Sequence, residues 1–259
     1  VNILDKIVAD KYKEVALRKQ LIPIKQLENS VLFERRCTSL AAALSKSNSG
    51  IIAEHKRRSP SKSTINNGLN VQDVAMGYQN AGACGMSVLT DGKYFGGSLD
   101  DLILARAATS FPLLRKEFII DTYQILEAKA CGADVILLIA AVLSQQEIKN
   151  LSEFAKSLGM DVLLEVHDLD ELQKSIMPSL DMLGVNNRNL KTFEVSLDIS
   201  KTLSTSIPDD FIKVSESGIS SVSAIKELMP YGYKGFLIGE NFMKTDNPGL
   251  SAETFINQL

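Results

Sequence analysis

Eight short apolar runs recur along this chain, and most of them stop at a polar tip. They are "GIIAE" from residue 50, "GMSVLT" from 85, "FPLLRKE" from 111, "DVILLIA" from 134, "DVLLEV" from 161, "DMLGVNN" from 181, "FIKVSES" from 211 and "GFLIGE" from 235. Most are apolar on both alternating faces, as strands covered on both sides must be. Parallel neighbours need a long crossover, usually a helix. The segments between the runs fit that need: "VQDVAMGYQNAGA" from 71, "SLDDLILARAAT" from 98, "DTYQILEAKACGA" from 121, "SQQEIKNLSEFAKSLGM" from 144, "DLDELQKSI" from 168 and "SSVSAIKELMPYG" from 220. Several open on a Ser or Asp cap and several close near Gly. Strand starts lie roughly 20 to 36 residues apart. Eight such units predict an α/β fold, a (β/α)8 or TIM barrel. A doubly wound sheet usually has fewer strands and a Gly-rich first turn, which this sequence lacks.

The 259 residues suit one such barrel, so a single domain over 1–259 is expected. Residues 1–45 precede the first strand and read as one or two extra helices broken at Pro23. An N-terminal helical extension of this kind can close the barrel bottom or lean over its mouth, and the sequence leaves the choice open.

Composition narrows the function. Net charge is −3 and the pI near 5.6. A general nucleic-acid binder is usually basic, so no nucleic-acid partner is expected. Any anionic ligand must then be met by locally gathered cations. Three scattered cysteines, Cys37, Cys84 and Cys131, fit a reducing compartment without a disulfide framework. Two histidines and no Cys-x-x-Cys make a zinc site improbable. The longest apolar run, 135–143, is too short to span a membrane, and the charged, helical opening does not read as a signal peptide. The expectation is a cytoplasmic protein with no membrane partner, acting as a monomer.

In a barrel of this class the working site lies at the C-terminal strand ends. Polar residues gather there: Glu54, His55 and Lys56 on the first strand, Arg115, Lys116 and Glu117 on the third, Glu165 on the fifth, Asn186 to Arg188 on the sixth, Ser215 to Ser217 on the seventh, Gly239 and Glu240 on the eighth. Alternation puts Glu54 and Lys56 on one face and His55 on the other. Asn186 and Arg188 share a face in the same way. If Glu54 and Lys56 enter the mouth, His55 faces the helix layer as a hydrogen-bonded packing residue. One charged strand end is usually only a solvated rim, and the set could be an ion-pair network that merely holds the rim together. Several such ends together point instead to a shared site, where a close Glu and Lys suit acid and base roles. His167 opens a loop and helix start, and a structural role is expected for it. "SESGISS" and "IGENFM" place small residues just before helical patterns, where backbone amides of barrels often hold phosphate. Ser217, Gly218, Gly239 and Glu240 could supply those amides.

The motifs "IIAEHKRRSPSK", "SVLTDGKYFGGS", "LLRKEFIID", "LLEVHD", "GVNNRNL", "VSESGI" and "LIGENFM" stand in this order on strands one, two, three, five, six, seven and eight. Over nearly its whole length the chain resembles the indole-3-glycerol phosphate synthase family of tryptophan biosynthesis. The resemblance implies a carbon–carbon lyase. Its substrate would be 1-(2-carboxyphenylamino)-1-deoxyribulose 5-phosphate, and its steps ring closure onto the sugar carbonyl, loss of CO2 and dehydration. It implies Lys116 as general acid at the carbonyl, Glu165 and Glu54 as carboxylates that assist proton transfer, and Lys56 as their cationic partner. Asn186 and Ser217 join this catalytic set. Arg188 would meet a carboxylate, Phe95 would cover the aromatic ring, and Ser59 and Glu216 would complete the substrate contacts. Gly218, Gly239 and Glu240 would cradle the phosphate. No metal or organic cofactor is implied. Competing readings are another sugar-phosphate barrel, such as the isomerase one step earlier, and a non-catalytic sensor of phosphorylated ligands.

Three positions depart from the pattern of the resembled family. His55 stands where an apolar or aromatic residue is usual, Ser63 replaces a glycine, and Glu117 replaces an aspartate. If Glu117 positions Lys116, its extra methylene bears on the rate.

Overall fold

The computed structural model describes residues 3–190 and 192–259. Each of the eight runs is a strand: β1 (Ile51–His55), β2 (Gly85–Leu89), β3 (Leu113–Lys116), β4 (Val135–Ile139), β5 (Asp161–Val166), β6 (Met182–Asn186), β7 (Ile212–Glu216) and β8 (Tyr233–Ile238). They pair in parallel in chain order and close into a barrel, with Ile51, Ile52 and Ala53 of β1 opposite Phe236, Leu237 and Ile238 of β8. Three helices precede β1: α1 (Ile3–Leu21), α2 (Ile24–Glu28) and α3 (Leu40–Lys46). After β1 come α4 (Val71–Asn80), α5 (Gly92–Phe95), α6 (Leu99–Ala108), α7 (Thr122–Ala130) and α8 (Gln145–Ser157). The rest are α9 (Leu169–Ser175), α10 (Asp198–Ser204), α11 (Val222–Leu228), α12 (Glu240–Met243) and α13 (Pro248–Ile256). The six anticipated interstrand helices are present; α5, α10, α12 and α13 are additional. Two of these, α5 and α12, are single turns of four residues, too short for a 3.6-residue period to register. Among the described residues no helix is long and apolar enough to cross a membrane.

Strand alternation builds two cores. Ile51, Ala53, Met86, Val88, Ile136, Leu138, Val162 and Leu164 face the helices. Ile52, Leu114, Val135, Leu137, Leu163, Met182 and Val214 fill the barrel interior. Capping boxes fix where α7 and α8 begin, Asp121 with Gln124 and Ser144 with Glu147, each cap worth about 1 kcal/mol.

The extension does both of the things left open by the sequence. Leu40 and Leu44 of α3 are buried with the interior residues, and their methyls approach Gly85 at the start of β2 and Gly235 in the first half of β8. That end of the barrel is therefore plugged by α3. At the other end α1 leans over the mouth, where Ile3, Leu4 and Ile7 line the opening.

Candidate active site

A cavity of about 410 Å3 opens at the C-terminal ends of the strands. Its polar floor follows from parity. On β1, Ile52 belongs to the interior, so Glu54 does too; Leu114 brings Lys116, Leu163 brings Glu165, Met182 brings Asn186 and Val214 brings Glu216. Each of these five strands thus presents an apolar residue in the lower layer and a polar one above it, two residues on in β1, β3, β5 and β7 and four residues on in β6, where Gly184 lies between. β4 breaks the rule, since Ile139 lines the cavity in the place of a polar residue.

Lys116 is the centre of the charges. Its Nζ lies 2.6 Å from Glu216 Oε2, 3.8 Å from Glu165 Oε2 and 4.0 Å from Glu54 Oε2. Burial opposes its charge, but Glu216, Glu54 and Glu165 outweigh burial and hold its pKa above the ordinary lysine value. Glu54 is also buried, yet Lys56 Nζ at 3.0 Å, Lys116 and the Ser87 hydroxyl, which donates at 3.0 Å, keep its pKa below the usual carboxylate value. Glu216 moves the other way. Burial, helped by Glu165 and Glu54 and opposed by Lys116, pushes its pKa up to about 7. Lys116 and Glu216 form a coupled pair, and the direction is set by the imbalance: three carboxylates face two ammonium groups, so one of the three is best kept neutral. Among the described residues, Glu216 Oε1 has no hydrogen-bond partner although it is buried. It rests over Gly184, where a Cβ would stand 2.4 Å from it. Gly239 makes room for Glu54 in the same way, a Cβ there falling 2.8 Å from Glu54 Oε1.

The remaining expected residues line the same cavity: Asn186 and Arg188, Ser59, Phe95, Ser217, Gly218, Gly239 and Glu240. Asn186 Oδ1 accepts from the Arg188 amide at 3.0 Å, and the Arg188 guanidinium donates to the Phe193 carbonyl at 3.3 Å. Phe95 stands on α5 with its ring centroid 6.0 Å from that of Phe118. Ser217 and Gly218 both have positive φ, 66° and 77°, which folds the chain sharply at the end of β7. The Glu240 carboxylate is taken by Lys62, 2.6 Å away, so only its backbone is suited to a phosphate.

Several features were not read from the sequence. Ser87, the donor to Glu54, is the one polar residue of β2, which was its signal. Ile3, Leu4, Ile7 and Phe118 add an apolar wall to the cavity. The Glu216–Lys116 bond joins strands that are far apart in sequence, and nothing local announces it.

The two histidines lie off the cavity. His55 faces the helix layer as parity requires and is 1% exposed. It is not hydrogen-bonded at both nitrogens, however, because its Nε2 is buried without a partner among the described residues. Burial first, and then Arg57, push its pKa down to about 4. His167 accompanies Glu165 from outside the cavity: Nδ1 is 3.1 Å from Glu171, while Nε2 is 3.4 Å from Glu165 Oε1 without hydrogen-bond geometry. Glu117 does not touch Lys116. It points to the other side of β3, where it accepts from the Thr90 hydroxyl at 2.8 Å and meets Lys11 at 3.1 Å.

Comparison with known proteins identifies the family. Residues 4–255 match the family described as indole-3-glycerol phosphate synthase. An indole-3-glycerol phosphate synthase of Bacteroides thetaiotaomicron is 46% identical over 258 residues, covering 100% of this chain and 99% of the relative. One of Albidiferax ferrireducens is 43% identical, covering 98% of each. Among solved structures, KGPDC from Streptococcus mutans superposes with a TM-score of 0.61 at 13% identity, covering 80% of this chain and 97% of its own. Thiamine phosphate pyrophosphorylase from Pyrococcus furiosus gives 0.59 at 15%, covering 85% and 98%. These last two are likenesses of fold alone.

Proposed function

This chain belongs to the indole-3-glycerol phosphate synthase family and makes indole-3-glycerol phosphate; from that premise we propose which of its residues carry the reaction. The substrate is 1-(2-carboxyphenylamino)-1-deoxyribulose 5-phosphate, an anion at both ends with an aromatic ring between. Its phosphate is held by backbone amides of Gly218, after β7, and of Gly239 and Glu240, after β8, two turns where the chain approaches the ligand closely. Its ring lies against Phe95 and Phe118, and its carboxylate faces the planar fork of Arg188. Asn186 orients Arg188 through the bond to its amide, while Ser59 and Ser217 contribute hydroxyls.

In the first step the ring carbon that bears the carboxylate attacks the sugar carbonyl. A carbon–carbon bond forms, and the carbonyl oxygen gains negative charge. Lys116 meets that oxygen with its ammonium and donates a proton. The carboxylate then leaves as CO2, and its bonding pair restores the aromatic ring. In the last step the new hydroxyl leaves as water and a proton is lost from the neighbouring carbon, which completes the indole. These transfers need one group that gives a proton and one that takes it. Glu54 is held ionised beside Lys56, which suits an acceptor. Glu216 holds its proton up to about 7 and bonds Lys116 directly, so it can return the proton that Lys116 has spent. Glu165 completes the ring of carboxylates around the ammonium. Glu216 thereby takes a larger part than a substrate contact. We place the chain in the cytoplasm as a single-domain monomer; its three cysteines are free thiols, which suits a reducing compartment.

The observation that carries the residue assignment is one ammonium within 4.0 Å of three carboxylates from three strands at the mouth of the barrel. The test is to mix the purified protein with the carboxyphenylamino sugar phosphate and follow indole fluorescence and released CO2. One CO2 per indole is expected from the wild type, and only trace turnover from Lys116→Met. Full turnover by that variant would remove Lys116 from the chemistry.

A further inference from the structure

The inward stripe of α1 reads Ile3, Ile7, Lys11, Val15, four residues apart and one above another on the helix. Three are apolar and the fourth is a cation, yet Lys11 is as buried as its neighbours, 2% exposed against 3% for Ile7 and 5% for Val15. Its ammonium meets Glu14 at 2.8 Å, Asp91 at 3.0 Å and Glu117 at 3.1 Å. Glu14 accepts its hydrogen bond, and Asp91 and Glu117 meet it as ion pairs, so one ammonium faces three carboxylates. Burial alone would draw its pKa down, but Glu117 and Asp91 carry it above the ordinary lysine value and the charge is kept. A leucine or methionine would suit an apolar stripe as well or better, because burying an ion pair seldom adds stability over an apolar contact. What the lysine adds is a fixed register.

The two acids it reaches from α1 are both attached to the cavity wall. Asp91 caps α5, its side chain accepting from the amides of Tyr94 and Phe95, and Phe95 lines the cavity. Glu117 follows Lys116 in sequence, and its Oε1 accepts from the Phe118 amide at 2.9 Å. A second link reinforces the first from the adjoining residue, where Asp10 binds Lys93 at 2.6 Å and the Tyr94 hydroxyl at 2.5 Å. One and two turns before Lys11, Ile7 and then Ile3 and Leu4 form part of the same wall.

We propose that Lys11 is a positioning residue, whose ammonium ties α1 to Asp91 and Glu117 and so sets the apolar wall of Ile3, Leu4, Ile7, Phe95 and Phe118 against the aromatic end of the substrate. The phosphate end, at Gly218 and Gly239, lies outside this linkage. The inference rests on the reading of the cavity as a site for an aryl-amino sugar phosphate, and it gives the acid after Lys116 a different task from the one its sequence position implied. Glu117 holds the covering helix; it does not orient Lys116.

Lys11→Met in the full chain tests this. For the aryl-amino sugar phosphate the expected result is a KM raised about tenfold with kcat within about threefold, the signature of lost uniform binding. The inhibition constant of inorganic phosphate should not move. Hydrogen exchange, measured well below the melting temperature, should quicken in 5–17 while the strands keep their protection. Glu117→Gln, which keeps the shape and removes one charge, should show the same split to a smaller degree and serves if Lys11→Met folds poorly. Unchanged exchange in α1 would overturn the inference by itself, as would a KM and a phosphate constant that rise together in both variants. Failure of the wild type to turn over the substrate would instead count against the assigned reaction, and the exchange measurement would still decide the tether.

Discussion

Replacing Lys116 by methionine removes one charge and keeps most of the volume. In the wild type the ammonium stands 2.6 Å from Glu216, 3.8 Å from Glu165 and 4.0 Å from Glu54. Two consequences follow, and they separate. The chemical one is loss of a positioned proton donor, worth about 10^2 to 10^4 in rate; a thousandfold fall in kcat corresponds to about 4 kcal/mol. The structural one is three crowded carboxylates with only Lys56 to balance them. Breaking a buried ion pair costs about 3–5 kcal/mol when the remaining charge cannot escape. Here it can escape, because Glu216 already keeps its proton up to about 7 and would keep it longer without Lys116. The variant should therefore lose little stability at pH 6 and considerably more at pH 8, where the carboxylate must ionise unpaired. Stopped-flow indole fluorescence measures the first effect, thermal melts across pH the second, and calorimetric titration with inorganic phosphate tests that the pocket survives. Phosphate affinity should be retained, which also separates an enzyme from a mere phosphate-ligand sensor. A kcat within tenfold of wild type at every pH would refute the reasoning.

Other outcomes follow from the same geometry. The Glu216 pKa is raised in the folded protein, so the fold binds that proton more tightly than the unfolded chain, and stability from this group is lost as pH rises from about 4.5 through about 7; melts of Glu216→Gln should lack that decline. His55 has the opposite sign: its folded pKa of about 4 lies below the ordinary histidine value of 6.5, so stability present above 6.5 is lost as pH falls toward 4, on the order of 3 kcal/mol. His55→Leu should flatten that acid limb in denaturant titrations and leave turnover unchanged. Gly184→Ala would place a methyl 2.4 Å from Glu216 Oε1 and push the carboxyl off Lys116; an ångström of misplacement is worth roughly a hundredfold in kcat, and a crystal structure of the variant should show the broken bond. Arg188→Ala should raise KM about tenfold or more by removing a carboxylate contact, and an unaltered KM would count against that contact.

Sequence alone determined what depends on neighbouring residues. Strand and helix alternation, the caps, and the parity that sends Glu54 inward and His55 outward are local matters, because a strand repeats every two residues whatever it packs against. Recognisable motifs at the strand ends then named the residues that line one cavity. The closed barrel decided the rest. Glu216 and Lys116 are a hundred residues apart, and only closure with a definite stagger brings Oε2 within 2.6 Å of Nζ. The unpaired His55 Nε2 is equally invisible beforehand, since a ring's partners depend on which helix covers it. Glu117 looked like a neighbour of Lys116 in function as well as in sequence, but alternation turned it to the far side of β3, where α1 arrives with Lys11. The helical extension itself had two possible resting places. It took both, with α3 under the barrel and α1 over it, because where a helix docks is settled by complementary surfaces distant along the chain and not by its own periodicity.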